Sequence, residues 1–187
     1  MNASPDQDLG DVESMKLIGR GDRSAYRRMV DAYLTRVTRF AERILGDRSE
    51  AEDVAQETFL RLWTEASRWQ PRAQPKTWIY RVARNLCIDQ LRKRQDVSDS
   101  VDRQPGHDRP SGLLFRKETA AQVERAMLAL PERQRVAITL VHYEGLDSRE
   151  ACEVLEVSAE ALESLLARGR RTLREQLRSL ASDGERS

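Results

Sequence analysis

Between Lys76 and Arg94 the chain places six basic residues (Lys76, Arg81, Arg84, Arg92, Lys93 and Arg94) against one acid, Asp89, for a local charge of +5. Trp69 and Trp78 flank the loop WQPRAQPKTW that leads into this segment, and Tyr80 lies within it. Aromatic rings stack on unpaired bases while cations track the phosphates, so this combination suits single-stranded nucleic acid. A solvated basic face over core tryptophans is the competing account, and Trp78 fits a core position. Just upstream, AEDVAQETFLRLW at 51–63 has the opposite character, with Glu52, Asp53 and Glu57 ahead of a bulky apolar cluster. His107 and His142 have no ligand-like spacing to Cys87 and Cys152. The cysteines fit small buried apolar positions in separate helices. No metal site, cofactor or catalytic residue is expected.

The elements that position these residues read as helices throughout. Aromatics make up 5% of the 187 residues and charged residues 34%, and the net charge is +1. Strands favour aromatic and β-branched residues, so the composition points to an all-α chain. Apolar residues recur at helical spacing over about 11–20, 22–45, 49–67, 77–94, 116–129, 131–144, 147–155 and 158–179. Between Gln95 and Gly112 the pattern stops in QDVSDSVDRQPGHDRPSG, which reads as a flexible linker. The expected plan is two small helical domains, 11–94 and 116–180. The linker spans 95–115, and disordered tails cover 1–10 and 181–187. The longest clearly apolar run, VAITLV, is far short of a membrane span, and the polar N-terminus has no signal-peptide segment, which predicts a cytoplasmic protein without membrane insertion.

In the acidic helix, Gly46 fits a C-cap for the preceding helix, and Ser49 with Glu52 has capping-box spacing. Ala51, Val54, Ala55, Phe59, Leu62, Trp63 and Ala66 form the apolar face. Asp53, Gln56, Glu57, Leu60, Arg61 and Thr64 form the other. A core helix with a solvated outer face accounts for all of this except Leu60. In the basic helix Thr77 is a plausible N-cap. Ile79, Val82, Ala83, Leu86 and Leu91 make the buried stripe, and Tyr80, Arg81, Arg84, Asn85, Ile88 and Arg92 an outward arc.

The C-terminal stretch is the most specific. Pro131 fits a first helical position, Gly145 a C-cap, and Asp147 with Glu150 a capping box. A short helix, the turn EVS and a longer helix capped by Ser158 follow. Ala151 is small where the two helices must cross. Leu155, Val157, Leu162, Leu165 and Leu166 can close the core. This is the plan of a DNA-binding helix-turn-helix, whose second helix enters the major groove. Glu160, Glu163, Ser164, Ala167, Arg168 and Arg171 lie on that helix's outward arc. Between Arg168 and Arg178 five arginines stand against Glu175, which suits phosphate contact. An ordinary helical hairpin with a basic tail is the alternative.

Together, DRSEAEDVAQETFLRLW, TWIYRVARNLCIDQLRKR, LPERQRVAITLVHYEGL and VSAEALESLLARGRRTL resemble the extracytoplasmic-function group of the sigma-70 family, over about Gly21 to Leu180. The resemblance implies a promoter-specificity factor rather than an enzyme. Asp53, Gln56, Glu57 and Leu60 would dock on the clamp helices of the β′ subunit of core RNA polymerase. Trp69, Lys76, Tyr80, Arg81, Arg84 and Asn85 would take the −10 element, with Trp69 to Lys76 around a pocket for an unstacked base. Ser158, Glu163, Ser164, Ala167, Arg168 and Arg171 would read the −35 element. An anti-sigma partner is implied too. A sigma-like module that sequesters an anti-sigma factor has no need of the +5 segment, and a plain helix-turn-helix regulator has no need of the acidic helix.

Two departures stand out. Glu156 occupies a turn position that is commonly Gly, at ~1 kcal/mol if φ is positive there. Glu163 and Leu165 stand where many members carry basic residues. Promoter elements ~50–70 Å apart would also require the linker to run nearly extended, since eighteen residues average only ~25 Å as a coil.

Overall fold

The computed structural model of the chain describes residues 5–71, 74–100 and 116–184. Among them there are helices and turns but no strand: α1 (Pro5–Gly19), α2 (Arg23–Leu45), α3 (Arg48–Glu65), a 3-10 turn (Ala66–Arg68), α4 (Pro75–Ser100), α5 (Arg116–Leu128), α6 (Glu132–Ile138), a π turn (Thr139–Tyr143), α7 (Ser148–Leu155) and α8 (Ala159–Gly184). The all-α plan with a C-terminal helix-turn-helix is the one the sequence predicts. The expected elements differ from it mainly at their ends. α1 begins inside the expected N-terminal tail. α4 does not stop at 94 but runs six residues into the expected linker, and α8 continues past 179. The stretch QDVSDS contains no Gly or Pro, and Asp and Ser only weakly oppose helix, so nothing local ends α4 there. The remainder of the expected linker, 101–115, lies outside the described residues.

Caps explain the other boundaries. Gly46 at φ +71° ends α2 and leaves Asp47 extended. The Asp47 carboxylate then accepts from the Glu50 N–H at 2.8 Å, so Asp47, not Ser49, caps α3. A carboxylate caps as well as a serine does, and here it comes first in the chain. Thr77 is likewise not a cap: α4 starts at Pro75, a favoured first residue, and Thr77 is buried within the first turn. The capping box of Asp147 and Glu150 forms as expected. Pro131 sits just before α6 rather than inside it. The expected helix over 131–144 changes character at Thr139, whose hydroxyl donates to the Arg135 carbonyl at 2.8 Å, a bond that competes with regular helix. From there the chain takes a wider turn, with the Glu144 N–H donating to the Thr139 carbonyl.

α2 packs along α3 and α4, α1 lies against α2, and α8 is held by α5, α6 and α7. Most of the apolar faces read from the sequence are inside: Val54, Ala55, Phe59 and Leu62 of α3, Ile79 and Ala83 of α4, and Ala151, Leu155 and Leu162 of the helix-turn-helix are buried, whereas Val82, Leu86 and Leu91 of the expected α4 stripe are only partly buried at its edge. Trp63 packs edge-on against Tyr26, with ring centroids 5.2 Å apart. Trp78 is a core residue. The two halves do not keep separate cores. Their buried residues form one continuous cluster, and α7 rests directly on α4. Cys87 is wholly buried, and burial pushes its thiol up to about 12. It packs as a small apolar residue, whereas Cys152 is only partly buried.

Glu156 closes α7 at φ +56°, the one positive-φ residue other than glycine among the described residues. A side chain with a Cβ is disfavoured there by ~1 kcal/mol. Glu156→Gly is therefore expected to stabilise the fold by about 1 kcal/mol and raise Tm by roughly 2–4 °C, as read in a thermal melt. An unchanged or lowered Tm would mean that the turn relaxes around glutamate.

Candidate docking and nucleic-acid surfaces

The acidic surface is one face of α3. With Val54, Ala55, Thr58, Phe59 and Leu62 turned into the core, helical geometry sends Asp53, Gln56, Glu57 and Leu60 outward. Asp53 and Gln56 are exposed, and Glu57 is half-buried. Leu60 is 56% exposed, the most exposed large apolar side chain among the described residues. Glu57 is not free: Arg61 Nε donates to its carboxylate at 2.8 Å. Among the described residues Asp53 has no such partner, and it is exposed. The four residues expected to act together share one open strip.

The basic surface is divided. Arg81 and Arg84 are half-buried and Asn85 is exposed, while Arg84 Nη1 donates to Asn85 Oδ1 at 2.9 Å. Trp69 is half-buried against the core. Residues 72 and 73 of the expected base pocket lie outside the described residues. Tyr80 and Ile88, read from the sequence as part of the outward arc, are buried, and so is Lys76. For Lys76 and Tyr80 the physical reason is that the C-terminal half covers this end of α4. The Tyr80 hydroxyl donates to Glu144 Oε2 at 2.5 Å, and Lys76 Nζ lies 3.0 Å from both carboxylate oxygens of Glu150. Burial, and then the adjacent Glu144 carboxylate, hold the Tyr80 phenol far above its ordinary pKa, so it remains a donor.

The third surface is the outer side of α8. Ser158 caps it, its hydroxyl accepting from the Ala161 N–H at 3.3 Å. Glu163, Ala167, Arg168 and Arg171 are exposed and Ser164 is half-buried, so the expected reading arc is accessible. Leu165 packs against the core, which explains its apolar type. Glu163 remains an exposed acid on the arc. Gly169 is where α8 crosses α6: an added Cβ would lie 2.6 Å from Ile138 Cδ1.

Sequence reasoning missed Glu144, Arg36 and Arg43, which bind the two halves. Arg36 Nη2 donates to the Glu144 carbonyl at 2.7 Å, and Arg43 stacks 4.3 Å from the Tyr143 ring centroid. One signal was present. Glu144 is an acid at a helix C-terminus and Lys76 a cation at a helix N-terminus, both against the dipole preference. Among the described residues no cluster of His, Cys, Asp and Glu is placed to hold a metal, and no helix is long and apolar enough to cross a membrane.

Two family models match the chain. Residues 29–97 match Sigma-70 region 2, and residues 120–173 match Sigma-70, region 4. The chain is 30% identical over 186 residues to the ECF RNA polymerase sigma factor SigW of Bacillus subtilis, covering 89% of this chain and 96% of the relative. It is 31% identical over 176 residues to the ECF RNA polymerase sigma factor SigE of Mycolicibacterium smegmatis, covering 89% and 68%. CnrH, solved with the cytosolic domain of CnrY, shares the fold at a TM-score of 0.73 and 21% identity, over 91% of this chain and 98% of that one. So does the sigma factor RpoE of Bartonella quintana, solved with the anti-sigma factor NepR, at 0.69 and 24% over 82% and 96%. The chain belongs to the sigma-70 family, in its extracytoplasmic-function group.

Proposed function

We propose that the chain is the promoter-specificity subunit of RNA polymerase for a set of promoters, acting through three surfaces with three different partners. Asp53, Gln56, Glu57 and Leu60 dock on the clamp helices of the polymerase. Trp69, Lys76, Tyr80, Arg81, Arg84 and Asn85 take one strand of the −10 element and help hold it open. Ser158, Glu163, Ser164, Ala167, Arg168 and Arg171 read the −35 element in the major groove. The observation that carries this reading is the open acidic strip with Leu60 at its centre, close in sequence to a helix of opposite charge. One chain needs both only if it bridges a basic protein and nucleic acid. The chain itself performs no chemistry, which the polymerase supplies, and it works in the cytoplasm. CnrH and RpoE were each solved with a protein partner, and an anti-sigma partner of that kind is proposed here as well.

Footprinting tests the reading. With core polymerase the chain is expected to protect two patches of promoter DNA and make thymines in the downstream patch reactive to permanganate. Arg168→Ala should weaken the upstream contact roughly tenfold, the effect of losing one charged contact to a base or phosphate. A single patch, or an upstream contact indifferent to Arg168, would remove the −35 assignment.

A further inference from the structure

On α6, Glu132 and Arg135 stand three positions apart, a spacing at which acid and base meet on a helix. Elsewhere helical neighbours of this kind do pair: Glu13 with Lys16 at 3.5 Å, Glu57 with Arg61 at 2.8 Å, Arg149 with Glu153 at 3.2 Å. Glu132 and Arg135 form no ion pair, with each other or with any other described residue. Arg135 is nevertheless only 8% exposed. It turns toward α5, where its Nη1 donates to the carbonyl of the last residue, Leu128, at 2.9 Å. Its Nε has no acceptor. A guanidinium carries five N–H donors, so this single bond leaves most of them unused. Burial lowers the pKa of Arg135 from the ordinary arginine value, while Glu132 opposes that shift and Arg94 adds to it. Arginine keeps its charge even so, and a buried charge without a partner is costly.

The two unpaired charges share a cavity. Glu132 and Arg135 line a space of about 350 Å³ together with Leu91, Arg94 and Gln95 of α4. That volume lies at the lower end of small-molecule sites. Arg94 is already held: its Nε donates to Glu50 Oε1 at 3.0 Å, its Nη2 lies 2.7 Å from Glu50 Oε2, and its Nη1 donates to the Leu45 carbonyl at 2.8 Å. Its charge is therefore balanced by Glu50. What the wall offers is one unbalanced cation and one unbalanced anion, beside an apolar side chain and an amide.

We propose that this cavity binds a free α-amino acid as its zwitterion: Arg135 takes the carboxylate, Glu132 takes the ammonium, and Leu91 and Gln95 meet the side chain. The guanidinium fork matches a carboxylate, with two parallel N–H···O bonds. A simple anion gains from Arg135 but is repelled by Glu132, and a simple amine has the reverse difficulty. Only a ligand with both charges satisfies both groups. None of the five lining residues belongs to the polymerase or promoter surfaces proposed above, so the site stands or falls apart from them.

The test uses the full chain. The twenty common L-amino acids, each at about 10 mM, are screened by thermal melting, where a ligand of the native state raises Tm. The strongest is then titrated by calorimetry beside its N-acetyl derivative, which lacks the ammonium, and inorganic phosphate. At least one amino acid is expected to raise Tm, and its N-acetyl derivative should bind about tenfold more weakly, as for loss of one charged hydrogen bond. Glu132→Gln should weaken the amino acid about tenfold and leave the N-acetyl derivative unchanged. Arg135→Gln should weaken both. If that variant does not fold, since Arg135 also caps α5, Arg94→Gln replaces it and should weaken both through the Glu50 charge it uncovers. Glu156→Gln, exposed at the end of α7, should change nothing. A screen in which no amino acid raises Tm would overturn the inference. So would an N-acetyl derivative that binds as tightly as the free amino acid, or binding indifferent to Glu132→Gln. Inorganic phosphate binding more tightly than any amino acid would make the cavity a plain anion site and overturn it as well.

Discussion

Asp53→Lys combined with Glu57→Lys is expected to abolish co-purification with core RNA polymerase, a loss of at least about a hundredfold in affinity. Placing like charges across an interface costs several kcal/mol, and here two attractive contacts become repulsive ones. The strip has the anatomy of a docking site: an apolar side chain, Leu60, 56% exposed, with Asp53 and Gln56 exposed beside it and Glu57 at its edge. The fold should survive. Asp53 takes no part in the core, and the Glu57–Arg61 pair at spacing i,i+4, with each side chain 41% exposed, is worth only ~0.3–0.5 kcal/mol. Unchanged circular dichroism with lost co-purification is the expected result. Retained co-purification would remove the strip from the polymerase interface.

Arg81→Ala combined with Arg84→Ala is expected to lower open-complex formation by holoenzyme about a hundredfold while leaving polymerase binding unchanged. Each lost charged hydrogen bond to a phosphate or base edge is worth roughly tenfold. The salt dependence should flatten as well, because two fewer counterions are released. Both arginines are half-buried but remain on the accessible part of α4. Permanganate reactivity of promoter thymines, measured across salt concentrations, reads both effects. An unchanged salt slope would mean that neither arginine contacts DNA.

What the sequence made legible was what short-range periodicity controls. The α3 core face was read residue by residue, because Val54, Ala55, Phe59 and Leu62 recur at helical spacing and all are buried. The Asp147 capping box was legible from its local spacing, whereas the positive φ of Glu156 was suggested only by the resemblance, which commonly has Gly at that turn position. Caps with two candidates were less so: Asp47 pre-empts Ser49 only because Gly46 turns the chain one residue earlier. The basic surface was legible as charge but not as exposure. Tyr80 falls on an outward arc of an isolated helix, and only contact with residues some sixty positions away buries it. The misplaced charges, Glu144 at a C-terminus and Lys76 at an N-terminus, were the local trace of that long-range demand. Violations of a local rule mark places where tertiary structure or function sets the residue.

The central claim is that this chain gives core RNA polymerase its choice of promoter. Run-off transcription tests it most directly, with purified core polymerase and fragments of the source genome as template. With the chain added, the account predicts discrete transcripts from a limited set of fragments. These should be absent with core polymerase alone and abolished by Asp53→Lys with Glu57→Lys. Transcripts identical with and without the chain would contradict it.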